Sequence, residues 1–188
     1  MLRRPIDQTA TVSPRVAAPG AFARASARAA NMLAVASTIA LAAPPAHAVD
    51  GCLVLLCLAA PSWRAIPQCV PPIRQLFSDL RRGRPFPTCS MAGPGNNSRH
   101  QWAMAPSFCP PQYTREVWAA NGPRYVCDYR GAISVSVDGQ FWSRTWWTSG
   151  DSVTEFSDAA KASLIDGWDT RFDDEYARWE AGQRPAGS

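Results

Sequence analysis

All six cysteines of this 188-residue chain, Cys52, Cys57, Cys69, Cys89, Cys109 and Cys127, lie downstream of an arginine-bearing, apolar leader. An even cysteine count in an exported chain reads as a disulfide framework of up to three bridges, with many pairings open. Each bridge contributes about 2–4 kcal/mol, largely by restricting the unfolded chain. No two cysteines have CxxC spacing, which argues against dithiol redox chemistry. Beyond the leader His100 is the only histidine, so no zinc site is expected, and the sequence points to no other metal or cofactor.

The leader, residues 1–48, has the parts of a secretory signal. Arg3, Arg4, Arg15, Arg24 and Arg28 precede a short apolar run, Asn31–Ala43, which Pro44 and Pro45 end. Ala46-His47-Ala48 then places small residues at the −3 and −1 positions, so cleavage after Ala48 and a periplasmic protein beginning at Val49 are expected. The arginine-bearing stretch is long for such a signal, which fits a start downstream of Met1 or an extended signal. No apolar run reaches the roughly 18 residues of a lasting transmembrane helix, so no membrane span is expected once the signal is removed.

The leader also carries the chain's excess charge. The whole sequence has a formal charge of +4, whereas Val49–Ser188 holds 14 basic and 14 acidic residues. A neutral mature chain lacks the electrostatic footprint of a nucleic-acid binder. Its charges are segregated all the same. Residues 49–99 hold six arginines against Asp50 and Asp79, while residues 150–188 hold nine acids against Lys161, Arg171, Arg178 and Arg184.

Gly51–Ala60 is apolar throughout and suits a buried strand or a short helix; helix is favoured because the next segment needs a partner. In that segment Pro71 and Pro72 suit a first helical turn, and Ile73, Leu76, Phe77 and Leu80 form an apolar stripe. Arg74, Gln75, Ser78 and Asp79 fall on its wet side, Arg81 and Arg82 suit its C-terminal end, and Gly83 fits the cap. The two helices make a hairpin that favours nested bridges, Cys52–Cys89 outside and Cys57–Cys69 inside. Cys109 and Cys127 then close a separate loop. Ser90–Arg99 reads as a flexible connection and Tyr113–Ala120 as a helical turn ended by Asn121-Gly122-Pro123. Arg124–Tyr129 and Ile133–Val137 alternate as strands do, and Asp138-Gly139 turns the chain into the strand Gln140–Trp147. A final amphipathic helix is expected over Asp158–Ala181, with Leu164, Ile165, Trp168, Phe172, Tyr176 and Trp179 on its apolar side.

The expected fold is therefore α+β: a disulfide-tied N-terminal helical hairpin in residues 49–90, then a β-hairpin and a C-terminal amphipathic helix in residues 91–188. Few residues suggest chemistry. His100 lacks a nucleophile context and reads as a solvated loop side chain. Asp169, Asp173, Asp174 and Glu175 could suggest calcium or a glycosidase pair, but at helical spacing they read as a wet face. Phe141, Trp142, Trp146 and Trp147 are the candidate contact surface; strict alternation puts Trp142 and Trp146 on one face and Phe141 and Trp147 on the other.

One stretch has a familiar pattern. Cys52-Leu53-Val54-Leu55-Leu56-Cys57-Leu58, then Gln68-Cys69-Val70-Pro71-Pro72-Ile73-Arg74-Gln75-Leu76-Phe77-Ser78, then Cys89, resembles the TrbM/KikA/MpfK family of conjugal transfer proteins. The likeness covers about Gly51–Cys89, and Cys89 sits in a shorter basic context than the family pattern. The resemblance implies an exported accessory component of a plasmid or integrative-element mating system, acting beside a type IV secretion channel. It implies other transfer or envelope proteins as partners and carries over no catalytic residue. The alternative from a different class is an envelope enzyme or glycan-binding module, acting on cell-wall polymer through the Trp-rich hairpin and the C-terminal acids.

Overall fold

The computed structural model describes residues 49–184; the expected secretory signal, residues 1–48, lies outside them. The apolar segment is a helix, α1 (Gly51–Ala59). The Asp50 carboxylate starts it by accepting from the backbone N–H of Cys52 at 2.8 Å and of Leu53 at 3.4 Å. Gly51 lies flat against the Thr88 backbone, where a Cβ would collide. That close approach brings Cys52 and Cys89 together, and the two are disulfide-bonded.

Helix α2 (Val70–Arg81) opens with its two prolines in the first turn and buries Ile73, Leu76, Phe77 and Leu80. Gly83 follows with φ +75°, a left-handed conformation that ends the helix as glycine allows. Cys57 and Cys69 bond across the connection, so the two bridges are nested. Asp79 departs from the expected wet side. It is buried, and its carboxylate accepts from Gln75 at 2.9 Å and pairs with Arg84 at 3.1 Å and Arg82 at 3.6 Å. A buried carboxylate needs such partners to offset its lost hydration.

Four strands, β1 (Asn97–Trp102), β4 (Gly131–Val137), β5 (Gln140–Trp147) and β6 (Ser152–Phe156), form an antiparallel sheet in the order β1-β4-β5-β6. Strand β1 takes in the last three residues of the expected flexible connection; its polar sequence carries no apolar alternation because it is an edge strand with an exposed side. The expected helical turn over Tyr113–Ala120 is also replaced. A single 3₁₀ turn, Pro111–Tyr113, leads into β2 (Thr114–Ala119), which pairs with β3 (Gly122–Cys127) as a separate hairpin. Cys109–Cys127 fastens that hairpin at its base. The single C-terminal helix is in fact two, α3 (Asp158–Ser163) and α4 (Arg171–Gln183). Between them Gly167 has φ +93°, which a continuous helix cannot contain.

The sheet has a core on each face. On one, α1 and α2 pack Val54, Leu58, Ile73, Leu76 and Phe77 against Ile133, Val135 and Trp147. On the other, Tyr113, Tyr129, Ala132, Trp146 and Val153 cluster, with Phe172 of α4 against them. The last carbonyls of α1 have partners from β5: Ser143 Oγ donates to Leu58 at 2.8 Å and Trp142 Nε1 donates to Ala59 at 2.9 Å. These bonds satisfy orphan groups that every helix end leaves.

Candidate functional site

The four aromatic residues expected to form a contact surface do not form one. Trp146 and Trp147 are 2% and 0% exposed, Trp142 is half-buried, and only Phe141 is open. Their faces also differ from strict alternation. Val135 pairs with Ser143 while Ser136 pairs with Phe141, so Trp142 is the extra residue of a β-bulge. The bulge turns Trp142 toward α1, on the side of Trp147, and leaves Phe141 with Trp146. The Arg144 guanidinium joins the latter pair, lying 5.1 Å from the Phe141 ring and 5.7 Å from that of Trp146.

His100 is not a solvated loop residue. It lies on β1 against Trp102 and Trp147, with ring centroids 4.8 and 5.7 Å away. Burial lowers its pKa, and its Nε2 is shielded without a hydrogen-bond partner. Gly131 makes room for it, since a Cβ there would stand 2.7 Å from that nitrogen. The C-terminal acids are each engaged. Asp173 accepts from Lys161 at 2.8 Å and Trp168 at 3.1 Å, Asp174 accepts from Thr170, and Asp169 caps the backbone N–H of Arg171. Among the described residues no group of three or more His, Cys, Asp or Glu is placed to hold a metal ion.

Glu175 belongs to a larger network centred on Asp151, in the turn between β5 and β6. Arg171 grips Asp151 with both terminal nitrogens, at 2.6 and 2.7 Å, and donates its Nε to Glu175 at 2.8 Å. Arg64 reaches Asp151 at 3.2 Å and the Ser152 carbonyl at 2.7 Å, and the Tyr113 hydroxyl donates to Glu175 at 2.6 Å. The Arg171 hydrogen bonds hold the Asp151 carboxyl below its ordinary value despite partial burial. At Glu175 burial pushes upward, and bonds from Tyr113 and Arg171 outweigh it to lower the carboxyl. Burial, then the bond to Glu175, raises the Tyr113 hydroxyl, which therefore remains a donor.

Beside this network lies the groove that sequence reasoning missed. It has a volume of about 370 Å³ between α2, the Trp63–Ala65 turn and the β5–β6 turn. Trp63 and Phe77, packed edge to face, give it an apolar floor. Arg64, Arg74 and Arg81 line it, with Ser78 between the last two on α2 and the Thr148–Ser152 turn opposite. Asp151 is its one acid and is already held between two guanidinium groups. Arg74 and Arg81 are exposed, and neither is paired with a carboxylate among the described residues. The excess of arginine over acid in residues 49–99 was its sequence signal; what the sequence hid is that three of those six arginines share one groove. Comparison of the chain with family models, with curated proteins and with solved structures found no match.

Proposed function

We propose that this chain is an exported, non-enzymatic accessory protein of conjugative transfer, working in the periplasm beside a type IV secretion channel. The observation that carries this reading is the four-cysteine hairpin. Its cysteines stand at the spacing that resembles the TrbM/KikA/MpfK pattern, and both bridges lie within that segment. Three disulfides fit an oxidising compartment, and no helix among the described residues is long and apolar enough to cross a membrane. The neutral mature chain favours protein partners in the transfer machinery or envelope over nucleic acid. The engagement of Asp173 and Asp174 with Lys161, Trp168 and Thr170 favours a structural role for the acids over catalysis.

Deleting the gene from a donor cell tests the reading directly. Mating frequency is expected to fall and to be restored by the intact gene, with the periplasmic product starting at Val49. Unchanged mating in the mutant would sink the proposal. The rival, a cell-wall enzyme, would show itself by releasing soluble fragments from purified peptidoglycan, with release lost in Asp173→Asn or Asp174→Asn.

A further inference from the structure

We infer that the groove between α2 and the β5–β6 turn binds an extended acidic segment of a partner protein, with Arg74 and Arg81 each taking one carboxylate. The inference stands on the groove alone and is independent of the conjugation reading. Arg74 and Arg81 are seven residues apart on α2, which sets them on one face about 10 Å apart along the axis. Where each guanidinium stays near its own turn of the helix, the two present separate carboxylate sites. An extended chain of polyproline type advances about 3.1 Å per residue and returns to the same side every third residue. Acids three positions apart on such a segment therefore lie about 9 Å apart and face the same way, close to the arginine spacing.

The rest of the groove suits a peptide. Trp63 and Phe77 offer an apolar floor for the side chains between the two acids. Ser78 adds a hydroxyl between the two arginines on α2, and Thr148 and Ser149 in the β5–β6 turn add polar side chains along the opposite wall. Asp151 does not repel an acidic ligand, because Arg64 and Arg171 neutralise it from two sides. Arginine presents a planar fork that matches a carboxylate, so each pairing is directional as well as electrostatic.

The test uses the purified, oxidised protein and a fluorescein-labelled hexapeptide with glutamates three positions apart, read by fluorescence anisotropy. Saturable binding that weakens as salt is raised is expected. Replacing both Arg74→Gln and Arg81→Gln should weaken it by roughly tenfold, since two exposed ion pairs are lost. The control Arg124→Gln, an exposed arginine on β3, should leave binding unchanged, and thermal melts should show both variants folded. A peptide of the same composition with adjacent glutamates should bind several times more weakly. Absence of binding overturns the inference, as does equal binding by the double variant or by the adjacent-acid peptide. Tighter binding of inorganic polyphosphate at equal charge would also overturn it, by showing a polyanion site with no preference for peptide. Loss of mating on gene deletion with no peptide binding would leave the conjugation reading standing while removing this one.

Discussion

Helices α2 and α4 are of nearly equal length and sit on opposite faces of one sheet, yet they are held by different forces. Helix α2 buries Ile73, Leu76, Phe77 and Leu80 and is tied to its neighbours by Cys57–Cys69 at its start and Cys52–Cys89 beyond its end. Helix α4 buries no residue. It rests on Phe172 and on charged links: Arg171 to Asp151, Glu175 to Tyr113, and Asp173 to Lys161. Apolar burial and covalent bonds do not titrate, and salt does not screen them. Partly exposed ion pairs are sensitive to both. The two ends of the chain should therefore fail under different conditions, the N-terminal hairpin last and α4 first.

The largest effect is expected at Cys69. Cys57 and Cys69 are 1% and 6% exposed within the α1–α2 core, whereas Cys109 and Cys127 are only half-buried. By loop closure alone the two bridges are nearly equal, about 3 kcal/mol each for separations of 12 and 18 residues. The difference is burial: Cys69→Ser also leaves a buried thiol and a polar hydroxyl in an apolar cluster. Chemical denaturation should show Cys69→Ser losing more than about 3 kcal/mol. The double variant Cys109→Ser, Cys127→Ser should lose less and keep the hairpin intact. Equal losses would break the comparison.

Much of the α2 side was legible in the sequence because its signals are local. The Pro-Pro start, the stripe from Ile73 to Leu80, the Gly83 stop and the cysteine spacing each act within a few residues. The far side was less legible because its determinants are distant. Strand β1 has no pattern of its own and is ordered by pairing with β4, and β2 is a strand because β3 and the Cys109–Cys127 bridge lie alongside it. The aromatic strand was read with one error, the bulge at Trp142, since a single unpaired residue exchanges the faces of everything before it. The arginine groove joins residues far apart in the chain, and spacing alone does not reveal such a site.

Acid supplies the second, smaller effect. Asp151 and Glu175 titrate below their ordinary values of 3.8 and 4.5 in the folded protein. Their contribution is complete above those ordinary values and is lost as the pH falls through the lowered ones. Amide exchange followed by mass spectrometry should show α4 opening below about pH 4 while α1 and α2 stay protected. Simultaneous opening of both regions would mean that α4 is not a separate unit.

Arg171→Gln should have the smallest effect. It removes the bidentate bond to Asp151 and the link to Glu175, but Arg64 and Tyr113 still hold those acids. A loss of about 1 kcal/mol is expected, seen as roughly fivefold faster exchange in α4 and almost none in α2. The difference between variant and parent should shrink at high salt.

The nested bridges also bear on how the protein is made. In chain order the first four cysteines are 52, 57, 69 and 89, so an oxidase acting from the N-terminus would first join Cys52 to Cys57. The folded protein instead pairs the first with the fourth and the second with the third. Reaching that pattern requires either that Cys52 wait as a thiol until Cys89 arrives or that a wrong bridge be exchanged by thiolate attack. Yield should therefore depend on a disulfide isomerase in the host, and a strain that oxidises thiols but cannot reshuffle them should accumulate a scrambled form.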